Sequence, residues 1–436
     1  MRKSDTQPKR GQAGLERETV TLQVQLPLPL LSTLQEIREG FLSLCVSAGR
    51  EALIAMMEQD RTALCGPKGV PNPDRTAGRG GSTRSEVTLG GRRIGIRRLR
   101  AHAVQGAELE VPSVAWAAQR DPLNAHTLEA IAAGVSTRRY RATLDPLPDT
   151  ESERAVSKSA VSRRFVALSA ELLKRWLARP LEKMDLCVVL IDGIMFRKRC
   201  IVIALGITAD GYKRVLGVEE GSTENATVVQ GLLNDLLERG LPSKRAVLFV
   251  IDGSKALSKA IRDTFGAAAL IQRCQVHKRR NVRAYLPESM HQGLRKAMHD
   301  AYESGDAESA RKQLERLAAA LENDHPGATK SLREGLEETL TLQRLGIGGM
   351  LYQALRSTNA IENLNGAVAR FTRNVRRWRD GKMLLRWVAG ALHEAEDHFN
   401  RVTGHKQLPH LIAALRKHDQ QIASLAKELD TRRRAA

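Results

Sequence analysis

Two apolar runs in the middle of the chain end in the same three residues, Ile-Asp-Gly. The first, LCVVLI over 186–191, is followed by Asp192, and the second, AVLFVI over 246–251, is followed by Asp252. Short continuous apolar runs of this kind are typical of strands that are buried on both faces of a sheet. A carboxylate directly after such a run lies at the rim of the sheet, where open α/β folds place their functional sites. The two motifs therefore predict an α/β domain with two neighbouring acidic side chains.

The segments around these runs complete the pattern. After the first run, strand patterns stand at 200–207 and 214–218 and a helix pattern at 224–239. After the second run, a helix pattern stands at 254–265 and a strand pattern at 268–271. The whole order, β-β-β-α-β-α-β, predicts a ribonuclease-H-like sheet, in which a three-stranded meander precedes two parallel crossovers. From about 275 to 345 the sequence is helical and charged without a strand signal. We interpret this stretch as an all-α insertion in the core.

A basic hairpin is predicted nearer the N-terminus. The segment 84–100, RSEVTLGGRRIGIRRLR, has a Gly-Gly pair between two strand-like runs. Its second arm contains Arg97 and Arg98 among five arginines. Such a strand can lie along a phosphate backbone or form a solvated sheet edge, and the sequence leaves both readings open.

A small helical region is predicted between the hairpin and the core. Helical patterns run over 124–133, 136–143 and 158–178, and Arg163 and Arg164 lie in the early turns of the third. Basic residues at the start of a helix that follows a short helix are typical of a helix-turn-helix DNA reader. An ordinary three-helix bundle is the alternative interpretation.

The charge indicates a polyanionic partner. The chain has 69 lysines and arginines against 49 acidic residues, a net charge of +20. Such an excess favours nucleic acid, although a basic enzyme with a small substrate has the same balance. No apolar run reaches the roughly 20 residues of a membrane span, and no apolar stretch of a signal peptide follows the first charges. With five scattered cysteines, we expect a cytoplasmic, nucleoid-associated protein with no membrane partner.

A third carboxylate is needed if the two aspartates do phosphoryl-transfer chemistry. Side by side, Asp192 and Asp252 would repel each other unless a divalent cation neutralised them. A site with two metal ions takes oxygen ligands from a further acidic side chain. The candidate is Glu362 in LRSTNAIENLNG, on a helix that Ser357 or Thr358 could cap. Taken alone, Glu362 could equally be an ordinary surface glutamate.

Three segments together carry a family resemblance. They read LIDGIMFRKRCIVIALGITADGYKRVLGVEEGSTEN, LPSKRAVLFVIDGSKALSKAIRDTFGAAALIQRCQVHKRRNV and LRSTNAIENLNGAVARFTRNVRRWRDGKMLLRW. The chain resembles the Mutator-type transposase family, which includes the bacterial insertion-sequence-256-type transposases. The resemblance covers roughly 185–400 strongly and 30–180 less specifically. It implies a DDE-type enzyme with a ribonuclease-H-like core, a catalytic and metal-binding triad of Asp192, Asp252 and Glu362, and two Mg²⁺ (or Mn²⁺) ions.

The resemblance also assigns a Cys-x-x-His motif to Cys274 and His277, in RCQVHKRRNV. One such pair is only half of a zinc site, so we interpret the two residues as structural or DNA-end-positioning rather than as metal ligands. Basic residues flank the proposed site and either clamp phosphates or form a solvated face. They are Lys278, Arg279 and Arg280 after the motif, and Arg373, Arg376 and Arg377 in a predicted continuation of the Glu362 helix.

These observations predict a DNA transposase that binds the terminal inverted repeats of its insertion sequence. It would cleave DNA strands and join them to target DNA, acting as a homo-oligomer on DNA. The alternatives are a nuclease of the same fold that does not join strands, and a DNA-binding regulator derived from a transposase. The predicted N-terminal regions are a helical region and linker (1–83), a basic hairpin (84–120) and a helix-turn-helix-like domain (121–180). The predicted core consists of a first part (181–274), the insertion (275–350) and the core completion (351–400), and a basic helical tail (401–436) follows.

Overall fold

A computed structural model describes residues 28–71, 76–89, 92–119, 127–131, 134–144, 156–223 and 225–435. The chain divides into a smaller unit, 1–120 with 144–154, and a larger unit, 121–143 with 155–436. The polar N-terminal segment and the Gly-Gly turn of the predicted hairpin lie outside the described residues. Within those residues, no helix combines the length and the apolar character that a membrane crossing requires.

The smaller unit contains a long helix and the basic hairpin. Its elements are α1 (Leu28–Cys65), β1 (Ala77–Leu89), β2 (Arg92–Ala103), β3 (Glu108–Leu109) and α2 (Pro112–Gln119). The three strands form an antiparallel sheet in sequence order. Strand β1 begins at Ala77, so the hairpin starts within the region 1–83 that was predicted as helix and linker, and the prediction that it starts at residue 84 is wrong. Pairing with β2 holds this Gly-rich stretch extended, and the Arg79 side chain donates hydrogen bonds to Gly66 O and Thr62 Oγ1.

The larger unit is built on a five-stranded mixed sheet, which confirms the α/β class. Its strands are β4 (Leu186–Phe196), β5 (Arg199–Thr208), β6 (Lys213–Gly221), β7 (Val247–Ile251) and β8 (Ala269–Arg273), in the spatial order β6-β5-β4-β7-β8. Strands β4, β5 and β6 pair antiparallel, whereas β7 pairs parallel with β4 and β8 parallel with β7. A meander followed by two parallel crossovers is the strand order that the sequence predicts.

Helices cover both faces of this sheet, which explains the continuous apolar runs. In β4, Val188 and Leu190 face one apolar cluster, and Val189 and Ile191 face the other. The second cluster is completed by α5 (Ala226–Glu238) and α6 (Lys255–Phe265). The first is completed by helices later in the chain, chiefly α12 (Gly349–Leu355), α13 (Asn359–Thr372), α14 (Gly381–Asp397) and α15 (Leu408–Ala435). Because neither face of such a strand contacts solvent, its sequence does not alternate between apolar and polar residues.

Between β8 and α12 the regular elements are helices. They are α7 (Gln275–Arg283), α8 (His291–Tyr302), α9 (Ala307–Leu321), α10 (Pro326–Arg333) and α11 (Thr341–Arg344), with short 3₁₀ turns between them. Helices α7 to α10 bury an apolar cluster of their own, with Val282, Met298, Leu314 and Leu332 among its members. These helices therefore form a layer with its own core, and α7 begins directly after the last strand of the sheet.

The predicted three-helix region is only partly helical. Helix α3 is described over 127–131, and α4 spans Lys158–Leu177 with Ser157 accepting a hydrogen bond from Ala160 N. The helix predicted over 136–143 is wrong, because only a 3₁₀ turn, Tyr140–Thr143, forms there. In that turn Tyr140 alone is buried, so the segment has no apolar stripe to support a longer helix. The helix-turn-helix arrangement stays a prediction.

Helix α13 is shorter than predicted. It ends at Thr372, and α14 begins at Gly381, so the basic residues of 373–379 do not continue the Glu362 helix. The segment between the helices is held by Trp378, whose ring packs edge-on against Phe196 at a centroid distance of 5.6 Å. Trp387 of α14 contacts Phe165 of α4, with ring centroids 4.6 Å apart. Both tryptophans pack against the first apolar cluster.

Candidate active site

Parallel pairing brings the two predicted aspartates to one edge of the sheet. The last aligned pair of β4 and β7 is Ile191 with Ile251, so Asp192 and Asp252 are the next residues on neighbouring strands. Neighbouring strands lie about 4.8 Å apart. Both aspartates are half-buried. The expectation that β4 ends at Asp192 is wrong, because the strand runs on to Phe196 by pairing with β5.

The backbone after Asp252 is shaped by a glycine. Gly253 has a φ of +109°, and a Cβ atom on it would lie 2.1 Å from Arg273 Nε. The next residue, Ser254, donates its backbone N–H to Asp252 Oδ1 at 2.8 Å and caps α6. The tight turn thus fixes one oxygen of the Asp252 carboxylate.

Glu362 reaches the same place from α13, which packs on β4. It lies in the first turn of the helix, and the buried Thr358 hydroxyl donates to Glu362 Oε1 at 2.6 Å. One turn further along, Asn365 Nδ2 donates to Asp192 Oδ2 at 2.8 Å. Because positions three apart share a helix face, the bond from Asn365 to Asp192 also brings Glu362 toward the aspartates.

Cys274 and His277 join the sheet edge to the Glu362 helix. Cys274 N donates to Ile251 O at 2.8 Å, and Thr358 N donates to Cys274 Sγ at 3.4 Å. His277 Nδ1 lies 3.7 Å from Glu362 Oε1. The ligand atoms of Cys274, His277 and Glu362 all lie within 4.8 Å of one another. The Cys-x-x-His motif alone did not indicate that Cys274 and His277 would lie beside Glu362, the predicted catalytic glutamate.

The electrostatics of this cluster agree with its geometry. The pKa of His277 is raised by its hydrogen bond to Cys274 and by the negative charges of Glu362 and Asp252, against the opposing effect of burial. Burial also acts to raise the pKa of the Cys274 thiol, but hydrogen bonds from His277 and Thr358 outweigh it and the pKa is lowered. The effect of Asp252 on His277 indicates that two of the three acids lie near the imidazole.

The donor set fits divalent metal ions with oxygen ligands. The three acids offer carboxylate oxygens, and in the described chain neither Asp252 nor Glu362 has a lysine or arginine nitrogen within 4.0 Å. The three carboxylates do not form a group within 4.8 Å, the spacing that would suit one ion. The chemistry of this donor set therefore suits a divalent metal ion.

Asn365 is the site residue that the sequence reasoning missed. Its side chain is 9 % exposed, and among the described atoms its buried Oδ1 has no hydrogen-bond partner. A buried amide oxygen without a partner is costly unless a ligand or water completes its hydrogen bonds. The signal in the sequence was the spacing, because a polar residue three positions after Glu362 shares its helix face.

Lys278 is not a DNA contact in this structure, which corrects the sequence prediction. Its side chain is fully buried, and Nζ donates to the backbone carbonyls of Ser331 and Glu334 at the end of α10. Arg273 Nη1 donates to the same Glu334 carbonyl at 3.0 Å. Cations at a helix C-terminus bind its unpaired carbonyls and interact favourably with its dipole. Lys278 thus attaches α7 to α10.

The other predicted DNA contacts are distributed over both units. In the smaller unit Arg97 is exposed and lines a cavity of about 730 Å³, whereas Arg98 pairs with Glu108 at 2.8 Å. In the larger unit Arg163 is exposed and Arg164 half-buried near the start of α4. Exposed side chains also follow α13 at Arg373, Arg376 and Arg377, and Arg279 is half-buried beside the exposed Arg280 on α7.

Comparison with known families decides the identity. Residues 44–402 match the family model described as "Transposase, Mutator family". The chain belongs to the Mutator family of transposases. It is therefore a transposase, a DNA-cleaving enzyme that acts on DNA, which confirms the family and the transposase activity expected from the sequence.

Individual relatives agree with the family assignment. The chain is 29% identical over 306 residues to the transposase for insertion sequence element IS1081 of Mycobacterium tuberculosis, covering 67% of this chain and 71% of the relative. It is 28% identical over 357 residues to the transposase for IS256 in transposon Tn4001 of Staphylococcus aureus, covering 78% and 87%. A Rhizobium meliloti transposase, for ISRM5, is 28% identical over 360 residues, covering 80% and 86%.

Among solved structures, the chain matches the Mos1 transposase catalytic domain solved with raltegravir and Mg. The identity is 22%, the match covers 40% of this chain and 89% of that one, and the TM-score is 0.15. At this score the match does not bear on the geometry of the site.

Replacing Asn365 tests its role in the site. Asn365→Ala removes the hydrogen bond to Asp192, and a bond to a charged group contributes about 1.5–3 kcal/mol. We expect DNA cleavage at fixed Mg²⁺ to fall by roughly 10–100-fold and the Mg²⁺ concentration for half-maximal cleavage to rise. Calorimetric titration with Mg²⁺ should show weaker binding. Asn363→Ala, an exposed asparagine on the same helix, is the control; equal effects of the two changes would contradict the assignment.

The burial of Lys278 predicts a pH-dependent stability. Burial and the charge of Arg273 lower the pKa of Lys278 to about 7, against the opposing effects of Glu334 and Glu338. Above that pH the folded protein has released a proton that the unfolded chain keeps up to about pH 10, so the contribution of Lys278 to stability should rise from pH 7 to 10. In Lys278→Met this gain should disappear, as measured by urea unfolding at several pH values.

The matched control is Lys330→Met, which removes an exposed lysine from α10. It should keep the pH dependence of the unchanged protein. If Lys278→Met also keeps that dependence, the buried amine does not titrate as expected.

Proposed function

We propose that this transposase uses Asp192, Asp252 and Glu362 as a DDE triad for DNA strand cleavage and strand transfer. The observation that carries the proposal is the meeting of β4, β7 and α13. Two acids lie on adjacent parallel strands, and the third lies on a helix bonded to the first through Asn365. The strand order supports a ribonuclease-H-like core, with helices α7 to α11 as its insertion.

The reaction requires two phosphoryl transfers at the same acids. In the first, a water oxygen forms a bond to the scissile phosphorus at the transposon end, the P–O3′ bond breaks, and a 3′-OH is released. In the second, that 3′-OH attacks a phosphodiester of target DNA, and a target 3′-OH leaves. Two bound Mg²⁺ ions would lower the pKa of the attacking water or hydroxyl and stabilise the charge on the phosphate.

The residues of the site have separate roles in this proposal. Asp192 and Asp252 hold the metal ions at the sheet edge, and Glu362 completes one set of ligands. Asn365 orients the Asp192 carboxylate through its 2.8 Å hydrogen bond, and Thr358 orients Glu362 in the same way. Cys274 and His277 are positioning residues. Cys274 bonds Thr358, at the start of the Glu362 helix, to Ile251 on the strand before Asp252, and His277 lies against Thr358 and Glu362.

The DNA itself is held by basic residues at a distance from the metals. We place the terminal inverted repeats and target DNA on the predicted contacts that are not fully buried, with the protein acting as a homo-oligomer on DNA. These contacts are Arg97, Arg98, Arg163, Arg164, Arg279, Arg280, Arg373, Arg376 and Arg377. Arg98 is the least available of them, because its guanidinium already pairs with Glu108.

Removing each acid separately tests the triad. Asp192→Ala, Asp252→Ala and Glu362→Ala should each abolish Mg²⁺-dependent cleavage of DNA that carries the inverted repeats of the element. Binding to the same DNA without metal should be retained, because the acids make no phosphate contact of their own. Asp324→Ala, which removes an exposed acid between α9 and α10, should cleave normally. Normal cleavage by any one of the three variants would remove that residue from the triad.

The start of α4 can be tested as a DNA contact. Arg163→Ala/Arg164→Ala should weaken binding to the terminal repeats and lower the salt dependence of binding. The control, Lys174→Ala/Arg175→Ala, removes the same charge from the exposed far end of the same helix. Fluorescence anisotropy at several salt concentrations distinguishes the two. An unchanged affinity and salt dependence in the first variant would exclude α4 from the DNA interface.

A further inference from the structure

Helices α7 and α8 enclose a basic groove, of which the sequence motifs indicated only Arg279 and Arg280. Two cavities, of about 360 and 700 Å³, share Arg279, Gln292 and Arg295. The remaining lining of the two is Val276, Arg280, Arg283, Ser289, His291, Gly293, Lys296 and His299. Of the described residues, no aspartate or glutamate lines either cavity. We call the two together the α7–α8 groove.

The basic residues converge because of helical spacing. On α7, Val276, Arg279, Arg280 and Arg283 stand at intervals of three, one and three, which places them on one face. The opposite face of α7 carries the buried Gln275, Lys278 and Val282. On α8 the lining residues recur in the same way, through 291, 292, 295, 296 and 299. The folding of the helical layer therefore turns two basic stripes toward each other.

Four arginines of the groove lack acidic partners. Across the described ranges, no carboxylate oxygen lies within 4.0 Å of the guanidinium groups of Arg279, Arg280, Arg283 or Arg295. In the same helical layer Arg311 pairs with Glu308 and Arg333 with Glu322, and nearby Arg344 pairs with Glu337 and Arg356 with Glu303. Glutamates are therefore present around these helices, but none of the described ones lines the groove.

These arginines also stand close enough to affect one another. The pKa of Arg279 is lowered by partial burial and by the neighbouring charges of Arg295, Arg356 and Arg280. A group of guanidinium ions that repel each other in a concave surface is stabilised when an anion enters it. Guanidinium groups prefer phosphate oxygens, which they can bind through two parallel hydrogen bonds.

The groove starts at the candidate active site. Helix α7 begins after Cys274, and His277 in its first turn is the residue beside Glu362. From Val276 to Arg283 the helix advances about 10 Å. Because one DNA strand carries a phosphate for about every 3.4 Å of helix axis, that length matches about three phosphates.

We propose that the α7–α8 groove binds the phosphate backbone of the DNA strand that enters the metal site. The proposal rests on the proposed function, and it adds Arg283, Arg295 and Lys296 to the DNA-binding surface. Arg279 and Arg280 hold the phosphates next to the scissile bond, and Arg283 and Arg295 hold those further along the strand. The strand belongs either to the transposon end or to target DNA, since both present the same backbone.

The salt dependence of DNA binding tests this groove. Arg283→Ala/Arg295→Ala removes two groove arginines outside the triad and its positioning residues. Binding of the full-length protein is measured without divalent metal, to a duplex copied from the end of the element and to an unrelated duplex of equal length. If each arginine contacts one phosphate, the slope of log K against log salt should become less steep by about 2. The control, Arg316→Ala/Arg416→Ala, removes the same charge from exposed arginines that line neither cavity and should leave the slope unchanged.

The outcomes separate the two sources of DNA. If the slope is reduced only with the end duplex, the groove binds the transposon end. If it is reduced only with the unrelated duplex, the groove binds target DNA. If it is reduced with both, the groove binds DNA backbone in general. An unchanged slope with both duplexes overturns the proposal.

A second variant distinguishes lost charge from lost folding. Arg283→Lys/Arg295→Lys keeps the charge and should keep the slope within about 0.5 of the unchanged protein. If the lysine variant loses as much slope as the alanine variant, packing rather than charge is responsible and the proposal fails. Because these measurements need no metal, they do not depend on cleavage, and a failure of the triad assignment would leave their result intact.

Discussion

Parallel pairing between β4 and β7 is the constraint on which the rest of the site depends. Since the register aligns Ile191 with Ile251, an aspartate comes next on each side: Asp252 directly follows β7, and Asp192 lies beside it within β4, which runs on to Phe196. Two half-buried carboxylates about one strand spacing apart repel each other, and the repulsion is relieved when cations bind between or beside them. The register of one strand pair therefore sets the position of the proposed site and favours a divalent metal ion there.

The third acid comes from a distant part of the chain, so its position depends on a second set of contacts. Asn365 bonds α13 to Asp192, while Thr358 bonds the start of α13 to Cys274, whose own amide is bonded to Ile251. Helix α13 is thereby attached to both strands that carry an aspartate. A displacement of α13 would break a hydrogen bond to each of them, which explains why a cysteine with no free surface stands at this point of the chain. The histidine one turn later faces the glutamate that these contacts position.

The sequence predicted the parts of this structure that local pattern determines. Continuous apolar runs predict strands buried on both faces, and the five strands of the main sheet lie where those runs stand. Tertiary contacts decide the rest: β4 extends past Asp192 because β5 pairs with it, and after α13 ends at Thr372 the chain is packed against the core through Trp378 and Phe196. Lys278 shows the same limit of local pattern. In the sequence it is one of several basic residues in the run HKRR, and only its contacts with the end of α10 distinguish it from its neighbours. Asn365 is uncharged, so its residue type did not indicate a functional role. Only its position on the same helix face as Glu362 connects it to the site.

The distribution of charge in the larger unit links the acids to the arginines. Along α7, a cluster of acids stands at one end and a cluster of unpaired arginines follows, and each cluster is unfavourable by itself. A DNA backbone is attracted to the arginines and repelled by the acids, so it lowers the free energy of one cluster only. Metal ions held by Asp192, Asp252 and Glu362 would lower the free energy of the other cluster. DNA relieves the repulsion among the arginines, and metal ions relieve the repulsion among the acids. Because neither partner relieves both, the folded chain favours binding DNA and metal together at the junction of α7, β7 and α13.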